Sequence, residues 1–385
     1  MNTSPIVVIG SGLAGYNLVK EVRKLDQESE IIVITQDDAH SYSKPMLSTA
    51  LAKGKQADEL SMADPGKFAA QHNISIRNHT SVDRIDTSAK AILIGEERLD
   101  YSKLVLACGA QVNKLSFPGS ELEKVVSIND LMDYRRFRSL LGENCSESQN
   151  HVLIMGAGLI GCEYANDLLA SGYKVTIVDP SKSALNSLIP EEAGQALIEG
   201  LSDAGCQFEM QAHVSEITEQ GNGLLARLSN GQELECALVI SAVGLKANIQ
   251  IAQDSGIECQ QGIVTNALLQ TSAEDVYALG DCAEIEGQVR LYVLPLMTCA
   301  RTLAKTLTGT PSQVSFGIMP IATKTPACPV VVCPPASASG QWRFEQDGLN
   351  ICGRHYNEQD CLDGFVLTGQ RCVEKQALVK ELSSL

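Results

Sequence analysis

The stretch HVLIMGAGLIGCEYA, residues 151–165, runs from a short apolar segment through three spaced glycines into a sequence with helical periodicity. A continuous apolar run such as HVLIM suits a strand of a parallel sheet, which is buried on both faces. Gly156, Gly158 and Gly161 have the spacing G-x-G-x-x-G. The first glycine permits a tight turn, the second lets backbone approach a pyrophosphate, and the third lets the helix pack close. The N–H groups at the helix start then face the phosphates. Ile160, Tyr164 and Leu168 mark one face of that helix, and KVTIVD, residues 174–179, supplies the next strand. Asp179 follows Gly156 by 23 residues, close to the interval at which an acid reaches a ribose 2′-hydroxyl. A carboxylate there repels a 2′-phosphate, and Lys182 is the only compensating charge nearby, so NADH is expected in preference to NADPH.

The same device occurs earlier as PIVVIGSGLAGYNLV, residues 5–19. Here 6–10 is the strand and Gly10, Gly12 and Gly15 are the glycines, with Leu13 and Ala14 between them. Ala14, Leu18, Val22 and Leu25 follow at helical spacing, with Asn17, Lys20, Glu21 and Arg23 between them. IIVIT, residues 31–35, leads to the acids Asp37 and Asp38. The repetition continues downstream. Residues 92–110 and 226–244 each read as a hairpin that returns into a buried strand ending in A-x-G. Asn230-Gly231 is a two-residue hairpin signal within the second copy. Two such modules in tandem imply two bound dinucleotides, the arrangement of a protein that passes electrons from one cofactor to another.

A chain of 385 residues with 44% hydrophobic residues is expected to form two or three domains with sizeable cores. Its formal net charge of −16 argues against nucleic acid or an anionic membrane surface as a main partner. No cleavable signal pattern opens the chain, and no apolar run has the length of a membrane span, so a soluble, cytoplasmic protein is expected. The 13 cysteines are scattered, form no CxxC pair and show no metal-ligand spacing with histidine. Cys328 and Cys333 read as members of one extended strand, pointing to opposite faces, and the set as a whole reads as buried reduced thiols.

The motifs VVIGSGLAG (7–15), SYSKPMLS (41–48), LVLACGA (104–110), GAGLIGCE (156–163), LVISAVGLKAN (238–248) and DVYALGDCA (275–283) occur in the order of FAD-dependent pyridine-nucleotide oxidoreductases, which the chain resembles. Within them, SYSKPMLS and MPIATKTPACPVVVCPP (319–335) resemble the rubredoxin–NAD(+) reductases. The resemblance implies an α/β fold with two tandem Rossmann-like dinucleotide-binding domains, the FAD domain split by the NAD domain, plus a small α+β C-terminal domain. On that basis the FAD-binding domain takes residues 1–113 and 246–315, the NAD-binding domain 114–245, and the C-terminal domain 316–385. The cofactors implied are FAD on the first glycine loop and NAD(H) on the second.

The resemblance also suggests roles for particular residues. Gly280-Asp281 would approach the flavin's ribityl chain, Asp281 accepting a hydroxyl hydrogen bond; it equally reads as a helix N-cap. Lys44-Pro45 would meet phosphate or the flavin, or Lys44 is a solvated loop lysine. Val82, on the strand of TSVDRID, would hold adenine through its main chain, and Ala107 and Gly109 would line the dinucleotide. Asp37 joins the FAD set as the acid of the first module. Pro295 would precede a helix bearing Ala300, Leu303, Ala304 and Leu307 on one face, its start near Val293 directed at the flavin's pyrimidine edge, where the helix dipole favours negative charge. Many relatives pair a lysine at the position of Thr49 with the acid corresponding to Glu163. This chain lacks that lysine, and Lys324 is the alternative cation or a surface ammonium. Glu163 itself is either aimed at the nicotinamide and flavin or is an acid near a helix N-terminus. No side-chain nucleophile is required, because the flavin carries the chemistry.

The implied activity is NADH-dependent electron transport through flavin to rubredoxin, as in alkane hydroxylation or oxygen detoxification. A ferredoxin or flavorubredoxin reductase is the alternative, and a non-catalytic NAD-binding redox sensor a third. Arg135, Arg136 and Arg138 would offer an acidic carrier a basic patch, or form a solvated helix face. The C-terminal region, 316–385, reads as strand pieces around Trp342, with a helix over 378–385, packed on the flavin domain.

Overall fold

The computed structural model describes residues 4–146 and 149–383. Among them are eight α-helices: α1 (Leu13–Leu25), α2 (Pro65–His72), α3 (Leu131–Asn144), α4 (Leu159–Ala170), α5 (Glu191–Asp203), α6 (Gln250–Asp254), α7 (Val293–Leu307) and α8 (Lys375–Ser383). None of these is long and apolar enough to cross a membrane.

The chain forms two compact units. One comprises Met1–Lys44, Asp58–Gln111 and Leu245–Gly317; the other comprises Pro45–Ala57, Val112–Gly244 and Ile318–Leu385. The first unit is built on a five-stranded sheet in the spatial order Val276–Ala278, Lys103–Leu106, Ile6–Ile9, Ile31–Ile34, Ser75–Arg77. Every pairing in it is parallel, which requires crossover connections and suits strands buried on both faces. Val7, Val8, Val33, Ile34, Leu104 and Val105 accordingly form the centre of the core. A separate antiparallel ribbon joins Arg84–Asp86, Ala91–Ile94 and Glu97–Asp100.

The second unit repeats both elements. Its parallel sheet runs Val125–Val126, Leu238–Ser241, His151–Met155, Lys174–Asp179, Cys206–Met210. Its antiparallel ribbon joins Val214–Gln220, Gly223–Leu228 and Glu233–Cys236. The hairpin expected at Asn230-Gly231 forms, with Arg227 facing Glu233. The turn is wider than a two-residue one, and only Gly231 takes a positive φ, of 88°. After the repeat, a five-stranded antiparallel sheet follows, in the order Ile321–Ala322, Val330–Cys333, Leu362–Thr368, Asn350–Tyr356, Gln341–Asp347. The helices α5 and α8 pack against it.

Several local expectations are corrected. Leu25 is 56% exposed and Ile160 38% exposed, whereas the helical pattern had put both on buried faces. Leu25 closes α1, beyond the reach of the sheet, and Ile160 lies at the open start of α4. Arg23, a charged residue between the apolar positions of α1, is buried. Its guanidinium donates to the carbonyls of Asp26, Ser29, His72 and Asn73 at 2.8–3.1 Å and so joins the end of α1 to the end of α2. Pro295 lies inside the first turn of α7 instead of before it, a position where its missing N–H has no intrahelical partner to lose. Val82 precedes the strand Arg84–Asp86. Cys328 sits in the turn before the strand Val330–Cys333, so the two cysteines do not share a strand. The last helix starts at Lys375, three residues early; Ser384 and Leu385 lie outside the described residues, as do residues 1–3 and 147–148. In compactness, residues 45–57 and 318–385 group with the second unit, where residues of both segments hydrogen-bond to the polar face of α4.

Candidate functional site

The two glycine loops have matching geometry. Gly10 and Gly156 follow their strands with φ of 115° and 108°, where an L side chain is strained. A Cβ at either would stand 2.2 Å from the Ala107 carbonyl oxygen or 2.6 Å from that of Ala242. The third glycines are equally constrained. A Cβ on Gly15 would lie 2.0 Å from the Gly10 oxygen, and one on Gly161 2.0 Å from the Gly156 oxygen. The middle glycines differ, since a Cβ on Gly12 or Gly158 would meet nothing within 4 Å. Both are the N-caps of their helices, extended and with no capping side chain. Each unit therefore presents an uncapped helix N-terminus with open space at its middle glycine. These donors fit a pyrophosphate, and the residues present fit the dinucleotides implied by the sequence.

The acid of each module reaches back to its own loop. Asp37 Oδ1 accepts hydrogen bonds from Ser11 Oγ, Thr35 Oγ1 and the Ala39 N–H at 2.8–2.9 Å. Asp179 Oδ2 accepts from the Ala157 N–H and its Oδ1 from the Ser181 N–H, both at 2.7 Å. Ser11 and Ala157 occupy the same place in the two loops, so the duplication extends to this tether. Lys182 is exposed beside Asp179.

In the first unit, Gly280 has φ of 78°, and a Cβ there would lie 2.7 Å from that of Ala14, so the chain runs close against the first turn of α1, beside Leu13. Asp281 follows in a short 3-10 turn, not at a helix N-cap. Burial raises its carboxyl above the ordinary range, and the Lys44 ammonium works against that shift. Ala107 and Gly109 follow the strand Lys103–Leu106, Gly109 with φ of 69°. Val293 opens α7, whose N-cap, Tyr292, gives no side-chain cap. Val82 sits in the loop before the antiparallel ribbon.

The second unit gathers a further set around α4. Glu163 is only 1% exposed. Its Oε2 lies 2.5 Å from Lys324 Nζ and accepts from Ser48 Oγ at 2.6 Å, and its Oε1 accepts from the Lys324 N–H at 3.0 Å. Lys324 Nζ also donates to Ser48 Oγ and to the Pro45 carbonyl, each at 2.8 Å. Lys324 is thus one-third exposed but ion-paired, and it comes from a hairpin that Thr323, Thr325 and Cys328 tie together. One turn further along α4, Asp167 accepts from the Leu51 and Ala52 N–H groups at 3.1 and 2.9 Å, and Asn166 Oδ1 accepts from the Ala327 N–H at 3.1 Å. Burial raises the Asp167 carboxyl, opposed by those two N–H groups and by Arg138 and Lys53. Arg138 donates to the Lys55 carbonyl at 2.7 Å and to Tyr134 at 3.1 Å, so it is not part of a free basic face.

Ser48, Asn166 and Asp167 belong to this cluster, and the sequence reading did not single them out. Glu163, Asn166 and Asp167 are polar at i, i+3 and i+4 in an otherwise apolar helix, and that spacing puts them on one face. Three polar groups sharing a face of a core helix were the available signal.

Cysteines contribute no reactive centre to these loops. All thirteen are free, and only Cys361 is exposed. Burial pushes the Cys282 thiol up to about 12 and raises Cys108 and Cys162 as well.

Comparisons with known proteins agree with this architecture. The family described as pyridine nucleotide-disulphide oxidoreductase matches residues 4–307, and the rubredoxin binding C-terminal domain matches residues 313–382. The chain is 47% identical over 383 residues to the rubredoxin-NAD(+) reductase of Alcanivorax borkumensis, covering 99% of each. It is 39% identical over 386 residues to the rubredoxin-NAD(+) reductase of Acinetobacter baylyi, covering 98% of this chain and 97% of that one. Among solved structures, a ferredoxin reductase from Rhodopseudomonas palustris aligns with a TM-score of 0.86 at 24% identity, covering 97% of this chain and 93% of that one, a likeness of fold alone.

Proposed function

Because the chain belongs to the pyridine nucleotide-disulphide oxidoreductase family, we propose that it carries electrons from NADH through FAD to rubredoxin. The observation that carries this reading is the paired glycine cradle, two uncapped helix N-termini with the same open middle glycine on one chain. The match of residues 313–382 to a rubredoxin binding domain supports the acceptor. When bound, the flavin supplies the redox chemistry, taking a hydride from the nicotinamide and releasing electrons one at a time.

The protein's part is binding, orientation and electrostatics. We assign FAD to residues 1–113 and 246–315, NADH to 114–245, and carrier docking to 316–385. Gly10, Gly12 and Gly15 hold the FAD pyrophosphate, with Leu13, Ala14, Asp37, Lys44, Pro45, Val82, Ala107, Gly109, Gly280, Asp281 and Val293 completing that site. Gly156, Gly158 and Gly161 hold the NADH pyrophosphate, and Asp179 its ribose. The start of α7 favours negative charge on the reduced flavin. Glu163 and Lys324 would add a fixed, buried ion pair to the cofactor-binding set. With the chain at net charge −16, docking of an acidic carrier rests on a local patch and weakens with salt.

The test is an anaerobic titration of the FAD-loaded protein with NADH, followed by addition of purified carriers. Bleaching by NADH and faster reoxidation by rubredoxin than by ferredoxin or flavorubredoxin is the expected result. A yellow protein that NADH leaves unbleached would remove the reductase reading in favour of a redox sensor. Preferential reoxidation by another carrier would reassign the acceptor.

A further inference from the structure

The ammonium of Lys324 has three protons, and the second unit offers three acceptors: Glu163 Oε2, Ser48 Oγ and the Pro45 carbonyl. Ser48 gives its own hydroxyl proton to the same Glu163 oxygen that faces Lys324. The arrangement is closed, since the ammonium and the hydroxyl have no proton left over. A lysine in this state acts as a fixed charge, because a bond to anything else requires giving one up. Two of its three acceptors are anchored independently. Pro45 is held in the 3-10 turn Lys44–Met46, and Glu163 is buried on α4. Among the described residues, Ser48 alone hydrogen-bonds both members of the ion pair by side chain.

We propose that Ser48 is a positioning residue for the reduction step, acting through Lys324 and Glu163. The proposal rests on the function given above, in which that pair belongs to the cofactor-binding set. Without the hydroxyl, Lys324 keeps two bonds on a flexible four-carbon stem and Glu163 loses a donor. The ion pair survives, but its geometry is no longer unique.

The test uses the FAD-loaded protein and the variants Ser48→Ala, Ser48→Thr and Lys324→Arg. In protein labelled with 15N-lysine, wild type should show one slowly exchanging ammonium signal that Lys324→Arg removes. Ser48→Ala should speed its proton exchange at least about tenfold, in line with the loss of one charge-assisted hydrogen bond. Ser48→Thr, which keeps the hydroxyl, should restore it. In single-turnover reduction by NADH, Ser48→Ala should be roughly tenfold slower with NADH affinity within about twofold of wild type, and Ser48→Thr should recover most of the rate. If wild type bleaches and Ser48→Ala matches it in both measurements, the proposal is overturned. It is equally overturned if Ser48→Ala loses affinity and thermal stability together and Ser48→Thr fails to rescue. If NADH does not bleach wild type at all, the function itself falls, and the ammonium signal still reports on Ser48 separately.

Discussion

Lys324 Nζ stands 2.5 Å from Glu163 Oε2 across 161 residues of sequence, and the same lysine's main-chain N–H binds the other carboxylate oxygen. A carboxylate with 1% exposure is tolerated only when paired and hydrogen-bonded. Lys324 is about one-third exposed, so solvent screens part of the attraction. Lys324→Met should therefore destabilise by about 2 kcal/mol, below the full cost of an unpaired buried charge. Urea unfolding checks this, and a double-mutant cycle with Glu163→Gln should show coupling of about 1 kcal/mol. Purely additive effects would mean that the pair contributes nothing.

The glycine loops predict a contrast between neighbours. Gly161→Ala places a methyl 2.0 Å from the Gly156 oxygen and should cost about 3 kcal/mol or more, or prevent folding. Gly158→Ala meets nothing within 4 Å and should leave thermal stability within about 1 kcal/mol of wild type. It should weaken NADH binding roughly tenfold or more, because the methyl fills the pyrophosphate cradle. Calorimetry for stability and fluorescence for NADH read out the two effects.

Asp167 makes a pH signature. Its carboxyl is raised above 3.8 in the folded protein, chiefly by burial, so the folded state holds the proton more tightly than the unfolded chain. The stability arising from that difference is fully present below about pH 3.8 and is lost as pH rises through the folded value. Asp167→Asn cannot titrate, and its amide faces one of the two N–H groups that the carboxylate accepts. The stability of wild type relative to Asp167→Asn should fall as pH is raised from 4 towards neutrality, measured by urea unfolding at a series of pH values. A constant difference would show that burial does not perturb this acid.

Asp179 governs nucleotide choice in the proposed function. Asp179→Ala removes the acceptor for the Ala157 and Ser181 N–H groups as well as the charge that opposes a 2′-phosphate. NADH affinity should weaken roughly tenfold, and the preference for NADH over NADPH should shrink by a larger factor. Titration with both nucleotides decides it; an unchanged preference would place discrimination elsewhere.

The sequence was most informative where local chemistry sets the backbone. The strand His151–Met155 and the strand Lys174–Asp179 have the ends read from HVLIM and KVTIVD, because a buried parallel strand is a continuous apolar run bounded by glycine or acid. The second copy was legible for the same reason. Leu25 and Ile160 were misread because periodicity reports a face but not where the neighbouring element ends. The burial of Arg23 was not legible because two of the four carbonyls that satisfy its charge, on His72 and Asn73, are 49 and 50 residues away. Ser48 lay inside a quoted motif and still escaped notice. Its partners are 115 and 276 residues away, and contacts at such separation are visible only once the chain is folded.

Neither compact unit is a continuous piece of chain. The second takes Pro45–Ala57 from the beginning, Val112–Gly244 from the middle and Ile318–Leu385 from the end. During synthesis, α4 emerges with Glu163 and Asn166 facing water, and their backbone partners on the hairpin at 324–327 follow more than 150 residues later. The first unit likewise waits for Val276–Ala278 to complete its sheet. Folding cannot finish piece by piece from the ribosome outward, and a protease cutting once between the units' segments would release no intact half. The interleaving therefore predicts that Val112–Gly244 and Ile318–Leu385 lose their structure together under denaturant, because they share one compact unit.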